Sequence, residues 1–152
     1  KYKSASDFAN ANCSELEQDI RSTGLYKNKA KNIISACKMI VNNFDGDMPD
    51  NMDDLLKLAG VGRKTANLIL GEVFGKAAVV VDTHCTRLTN RIGITDNKDA
   101  KKIEFDLKKL LQGKDQLKFC HLMVAHGRSV CKARTPLCDK CSISGICKKN
   151  IK

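Results

Sequence analysis

The sequence predicts an all-α fold, and three observations predict it. Apolar residues recur at intervals of three and four in segment after segment, the spacing of one helical face. Capping residues and glycine stops bracket those segments. The one β-prone run, Val79 to Val81, has no second run to pair with, and nothing reads as a β-hairpin or a repeat.

The elements follow in order. Ser14-x-x-Glu17 reads as a capping box and Gly24 as a stop, so a helix is expected over 15–23. Lys27 to Asn43 carries Ala30, Ile33, Ile34, Cys37, Ile40 and Val41 on one face. "FDGDMPD" is a turn, after which Pro49 opens a short helix bearing Leu55, Leu56 and Leu58. A further helix begins at Arg63, with Ala66, Ile69, Leu70, Val73 and Phe74 as its buried stripe and Gly75 as its end. "KAAVVV" reads as a buried extended linker, and Asp82 as the N-cap of a helix over Thr83 to Arg91. Residues 98–112 form the next helix on Ile103, Leu107, Leu110 and Leu111, and residues 115–127 the last, stopping at Gly127. The tail is loop and short turns.

The chain of 152 residues is long enough for one domain or two small lobes, and 42% hydrophobic residues make it globular rather than disordered. Its net charge of +10 suggests a polyanionic partner, nucleic acid before acidic membrane. The tail from residue 131 carries six Lys/Arg against one Asp, half of that excess. No apolar run approaches the ~18 residues of a membrane span, and no signal peptide opens the chain. The sequence starts without Met, so truncation or processing at the N-terminus is expected. Of the eight cysteines, Cys13, Cys37, Cys85 and Cys120 are scattered among apolar neighbours and read as small buried hydrophobes in a reducing compartment. The other four crowd the tail as Cys131-x6-Cys138-x2-Cys141-x5-Cys147, which metal ligation explains better than disulfides do. On ligand type alone, zinc and an iron–sulfur centre both suit four thiolates.

Residues 58–70, "LAGVGRKTANLIL", break a helical pattern with Gly60 and Gly62 and restart it at Arg63 and Lys64. Glycine lets the backbone turn with positive φ and approach another surface closely. The N–H groups at the start of the second helix lack helical acceptors and sit at the positive end of its dipole. That combination makes a seat for a phosphate without any base contact. Lys64 lies on the first turn, where Arg63 and the helix end both disfavour its ammonium form and partial desolvation would add to this. A lysine so placed can act as a nucleophile. Asp82, at a helix N-terminus, is a held anion able to stabilise developing positive charge and assist proton transfers. His84 reads as structural, and neither His121 nor His126 is assigned a ligand role.

"LAGVGRKTANLIL" followed by "VVVDTHCTRLTNRIG" resembles the helix-hairpin-helix DNA glycosylases, specifically the endonuclease III family. The spacing from Lys64 to Asp82, the upstream "GLYKNKAKNI" and the cysteine spacing of the tail are similar too, so the resemblance covers essentially the whole chain. Ala59 stands where the family usually has proline, and family members carry further N-terminal residues, including a loop that wedges into the duplex. The resemblance implies a two-lobed helical DNA glycosylase fold. Residues 1–97 would form a helical barrel lobe with the helix-hairpin-helix at about 52–75, and 98–152 a lobe ending in a [4Fe–4S] loop over 131–147.

It further implies a base excision repair glycosylase with AP-lyase activity. Lys64 would attack C1′ of an oxidised pyrimidine nucleotide, the base would leave, and the Schiff base would permit β-elimination, with Asp82 as the catalytic carboxylate. Gly60, Val61, Gly62 and Arg63, with Lys132 and Arg134 of the tail, would contact DNA. Cys131, Cys138, Cys141 and Cys147 would ligate a structural [4Fe–4S] cluster. The target base must leave the stack before Lys64 can reach its sugar. The expected partner is double-stranded DNA with damaged pyrimidines or abasic sites, bound by a monomer inside the cell. Two other readings compete. An adenine glycosylase of the same superfamily lacks the lysine, and a non-catalytic DNA-binding module would hold zinc in its tail.

Overall fold

The computed structural model describes residues 1–151. These form α-helices α1 (Ala5–Ala9), α2 (Cys13–Asp19), α3 (Tyr26–Asn43), α4 (Met52–Leu55), α5 (Arg63–Glu72), α6 (Thr83–Ile92), α7 (Ala100–Leu110) and α8 (Gly113–Ser129), with 3-10 turns at Arg21–Thr23 and Cys138–Lys140. No strand occurs among the described residues, as the all-α reading requires. None of their helices is long and apolar enough to cross a membrane. By contacts the chain divides into two compact units, Lys1–Ala66 and Asn67 onward, and the division falls inside α5. Within the second unit α6 and α8 pack on each other.

In the first unit α1 and α2 both pack on α3. The capping box lies at the start of α1, not of α2. Ser4 Oγ accepts the Asp7 N–H at 3.2 Å and Asp7 accepts the Ser4 N–H at 2.9 Å. The α2 cap is Asn12, whose side chain accepts the Glu15 N–H, so Ser14 is inside the helix and the helix expected over 15–23 ends at Asp19. Similarly, Asn51 rather than Pro49 starts α4, by accepting the Asp54 N–H at 2.9 Å. Ala30 and Ile40 bury the central face of α3, while Leu55 and Leu58 bury the last turn before the hairpin.

The second unit is centred on the linker. Val79, Val80 and Val81 pack with Cys85 and Leu88 of α6, Ile103 and Leu107 of α7, and Cys120 and Met123 of α8. The linker is extended and buried without being a strand, and the Val80 N–H donates to Cys120 Sγ at 3.2 Å in place of a ladder bond. Two stripe residues belong to the surface: Val73 is 66% exposed beyond the end of α5, and Leu110 is 65% exposed in the last turn of α7. Gly127 does not end a helix. It lies inside α8, where a Cβ would meet His84 Nδ1 at 2.5 Å and Arg87 Nη2 at 2.9 Å. Close packing against α6, not a chain stop, is what this glycine serves.

Candidate functional site

The hairpin forms as its glycines dictate. Gly60 has φ of 75°, and a Cβ there would lie 2.8–3.0 Å from the Asn32 side chain of α3. Both the left-handed backbone and the close approach therefore exclude a larger residue. The Val61 N–H is taken by the Leu58 carbonyl at 3.1 Å, and the first intrahelical bond of α5 runs from Ala66 N–H to the Gly62 carbonyl at 2.9 Å. Backbone donors of Lys64 and Thr65 thus precede the helical ladder, at the positive end of its dipole. Gly62, Lys64 and Thr65 are exposed, and Val61 and Arg63 half-buried. Because Lys64 is exposed, protein burial does not supply the desolvation expected of it; only a bound substrate could.

Asp82 caps α6, accepting the Cys85 N–H at 2.7 Å. Its position is held from both sides of the chain. The Val80 N–H is anchored on Cys120, and Cys85 is buried beside the same sulfur. The thiol–thiol hydrogen bond holds the proton on Cys85, pushing its pKa up with help from burial, and pushes Cys120 down. Cys85 and Cys120 are therefore hydrogen-bonding parts of the core as well as apolar ones, whereas Cys13 and Cys37 are only half-buried. His84 lies against Gly127 with its Nδ1 3.2 Å from Arg87 Nη2.

The four tail cysteines line one recess with about 390 Å³ of empty space, part of it open to solvent. Val130, Leu137 and Ile143 help make its wall almost wholly apolar. Two arginines one turn apart on α6 fix the loop that enters it. Arg87 donates to the carbonyls of Gly127 at 3.2 Å and Cys131 at 3.0 Å. Arg91, only 9% exposed, donates to the carbonyls of Lys132 at 2.8 Å and Ala133 at 2.7 Å. Lys132 and Arg134 remain exposed on the segment so held. Arg91 Nη1 also lies 3.5 Å from Cys131 Sγ, His126 Nε2 lies 3.5 Å from Cys141 Sγ, and the Lys149 N–H donates to Cys147 Sγ at 3.3 Å. Among the described residues no three His, Cys, Asp or Glu groups converge closely enough to hold a single metal ion.

Sequence reasoning missed these arginines, because their acceptors are backbone carbonyls some forty positions away and leave no local spacing. It also missed Leu25. This residue has φ of 50° and is 80% exposed, standing just before α3 with Lys27, Lys29 and Lys31 following it. An apolar side chain displayed on strained backbone beside lysines has a readable signal: a bulky residue directly after Gly24 and before a basic helix.

The family described as "HhH-GPD superfamily base excision DNA repair protein" matches residues 1–113. Endonuclease III of Synechocystis sp. is 47% identical over 148 residues, which are 97% of this chain and 68% of that protein. Endonuclease III of Bacillus subtilis is 41% identical, covering 100% of this chain and 70% of the relative. Among solved structures, "Structure of a non-covalent Endonuclease III-DNA Complex" superposes with a TM-score of 0.92 at 40% identity, over 98% of this chain and 70% of that one. A thermostable thymine-DNA glycosylase gives 0.88 at 28% identity, again over 98% and 70%.

Proposed function

Because the chain belongs to the HhH-GPD superfamily of base excision DNA repair proteins, and within it to the endonuclease III family, we propose that Lys64 is its nucleophile and Asp82 the carboxylate that serves it. The activity is that of a DNA glycosylase and AP lyase acting on oxidised pyrimidines. The observation that carries the residue assignment is Lys64, exposed on the first turn after a hairpin whose Gly60 admits no other residue.

The backbone donors at the start of α5 hold a phosphate of the damaged strand, and the helix dipole favours that negative charge. With the nucleotide out of the stack, the neutral Lys64 amine attacks C1′ as the bond to the base breaks. The base departs with the bonding electron pair and gains a proton. Asp82, held by the Cys85 N–H, stabilises the positive charge that grows on the sugar and takes part in the proton transfers. The adduct loses an amine proton, the C1′–O4′ bond then breaks as O4′ takes a proton, and the opened sugar is held on Lys64 as an iminium ion. Loss of a C2′ proton then expels the 3′ phosphate, which nicks the strand, and water releases the lysine. Leu25 is the kind of apolar tip that inserts between base steps to hold a bent duplex open.

The tail residues fit a [4Fe–4S] cluster. Zinc draws four ligands to about 2.3 Å and so brings their sulfurs together. A cluster is itself several ångströms across and takes one thiolate per iron. Four cysteines line one apolar recess and supply the one thiolate per iron that the cluster needs, and the likeness to endonuclease III supports the cluster over zinc. When bound it supplies four thiolate–iron bonds that cross-link the loop. Arg87 and Arg91 fix that loop independently through its carbonyls, so that Lys132 and Arg134 face phosphates. The protein acts on double-stranded DNA as a monomer, in a reducing intracellular compartment that suits its scattered cysteines and a thiolate-bound cluster. Borohydride trapping on abasic duplex DNA tests the reading: a covalent adduct through Lys64 is expected, and adduct formation through another amine would overturn the assignment.

A further inference from the structure

Of the four sulfurs round the recess, three lie within hydrogen-bond distance of a nitrogen, and these nitrogens come from three different elements. Cys131 faces Arg91 of α6, Cys141 faces His126 of α8, and Cys147 faces the Lys149 backbone of the tail. Arg91 is committed to the loop carbonyls as well, and the Lys149 donor is main chain. His126 differs. Its Nε2 reaches a ligand sulfur, and the ring lines the recess itself.

Which of the two atoms donates depends on what the sulfur carries. A cysteine bound to iron is a thiolate and has no proton to give. The hydrogen bond between His126 Nε2 and Cys141 Sγ must then run from N–H to sulfur, which fixes the ring as the tautomer protonated on Nε2. An N–H donor to a ligand sulfur draws charge from the thiolate and stabilises the more electron-rich state of the centre it ligates. Hydrogen bonds to sulfur are among the means by which proteins set such potentials.

We propose that His126 is a tuning residue for the cluster: its Nε2–H bond to the Cys141 thiolate, alongside those of Arg91 and Lys149, makes the bound cluster harder to oxidise. The inference rests on the cluster reading above and gives this chain a means of keeping its DNA-facing loop intact in the presence of oxidants.

The test uses the protein purified with its cluster. Ferricyanide accepts one electron per molecule, becoming ferrocyanide, and loss of the cluster is followed at ~400 nm. His126→Leu removes the donor at similar volume, and should bleach several-fold faster with a lower reduction potential in voltammetry. His126→Gln restores a side-chain N–H and should return most of the difference. Equal bleaching rates for wild type and His126→Leu at full iron content would overturn the proposal, as would His126→Gln behaving like His126→Leu. Should His126→Leu hold no cluster, wild-type protein labelled with ¹⁵N-histidine decides. Pulsed EPR of the paramagnetic cluster should show a ¹⁵N coupling that the Gln variant lacks, and its absence refutes the bond. Wild-type protein without iron or ~400 nm absorption would instead overturn the cluster reading itself.

Discussion

The hairpin and the cysteine loop are built on opposite plans. At the hairpin a single glycine conformation does most of the work, and the residue it presents, Lys64, is exposed. At the loop, two arginines, one histidine and backbone donors converge on a short segment from three elements. A lysine proposed as the nucleophile must meet a substrate, so on that reading its surroundings are completed only when DNA arrives. The loop must hold its shape with or without DNA, so the chain over-determines it. A group whose chemistry lies outside the protein is therefore sparsely bonded, and a group that supports it is densely bonded.

The largest effect that would break this comparison is at Lys64. Lys64→Gln should lower strand nicking and imine trapping by about a thousandfold or more, since no other group is offered as nucleophile. Binding to abasic duplex, measured by fluorescence anisotropy, should remain close to wild type because the phosphate seat is backbone. Substantial loss of binding would show that the side chain, not the helix start, carries the phosphate.

The cysteines come next. Replacing any of Cys131, Cys138, Cys141 or Cys147 by Ser should abolish the ~400 nm absorption and lower the melting temperature, because ligand binding energy is also folding energy. Cys37→Ser, on a half-buried position of α3, should leave the absorption unchanged. Retention of full iron content by two of the four ligand variants would remove the cysteine loop from the comparison.

Two glycines sharpen it at an intermediate scale. Gly60→Ala puts a Cβ on left-handed backbone and against Asn32. Gly127→Ala gains helix propensity of about 1 kcal/mol but pushes on His84 and Arg87, an overpacking cost of about 1–3 kcal/mol. Gly60→Ala should weaken DNA binding with little change at ~400 nm. Gly127→Ala should instead lower cluster retention, because Arg87 holds the Cys131 carbonyl. Chemical denaturation together with iron analysis separates the two, and an identical pattern for both would mean the regions are not independently built.

Much of the fold was legible because its signals are local. Asp82 and α6, the long stripe of α3 and the buried linker follow from capping, periodicity and the lack of a pairing strand. Elements failed where one residue type has two uses. Gly127 reads as a stop yet is a packing glycine, and Ser14 reads as a cap although Asn12 and Ser4 do that work. Five-residue α1 is too short for a periodic stripe, and Leu110 and Val73 show that the edge of a stripe can face water. The site divides in the same way. Lys64, Asp82 and the cysteine spacing are contiguous motifs. Arg87, Arg91 and His126 become visible only when the chain brings distant carbonyls and sulfurs to them.

The smallest expected effect concerns the outer face of the loop. Lys132 and Arg134 are exposed, and Arg91 holds the carbonyls of Lys132 and Ala133 rather than any side chain. Removing either cation should therefore leave the loop folded and the cluster in place. What should change is the number of counterions displaced on binding. Each phosphate contact contributes about 0.9 to the slope of log affinity against log salt on duplex DNA. Lys132→Ala and Arg134→Ala should thus each flatten that slope by about one, weakening binding roughly equally across sequences. Titrations of a fluorescent abasic duplex over a series of salt concentrations read this directly. Unchanged slopes in both variants would mean that the heavily bonded loop presents its charges to water, and that the hairpin alone accounts for the contact with DNA.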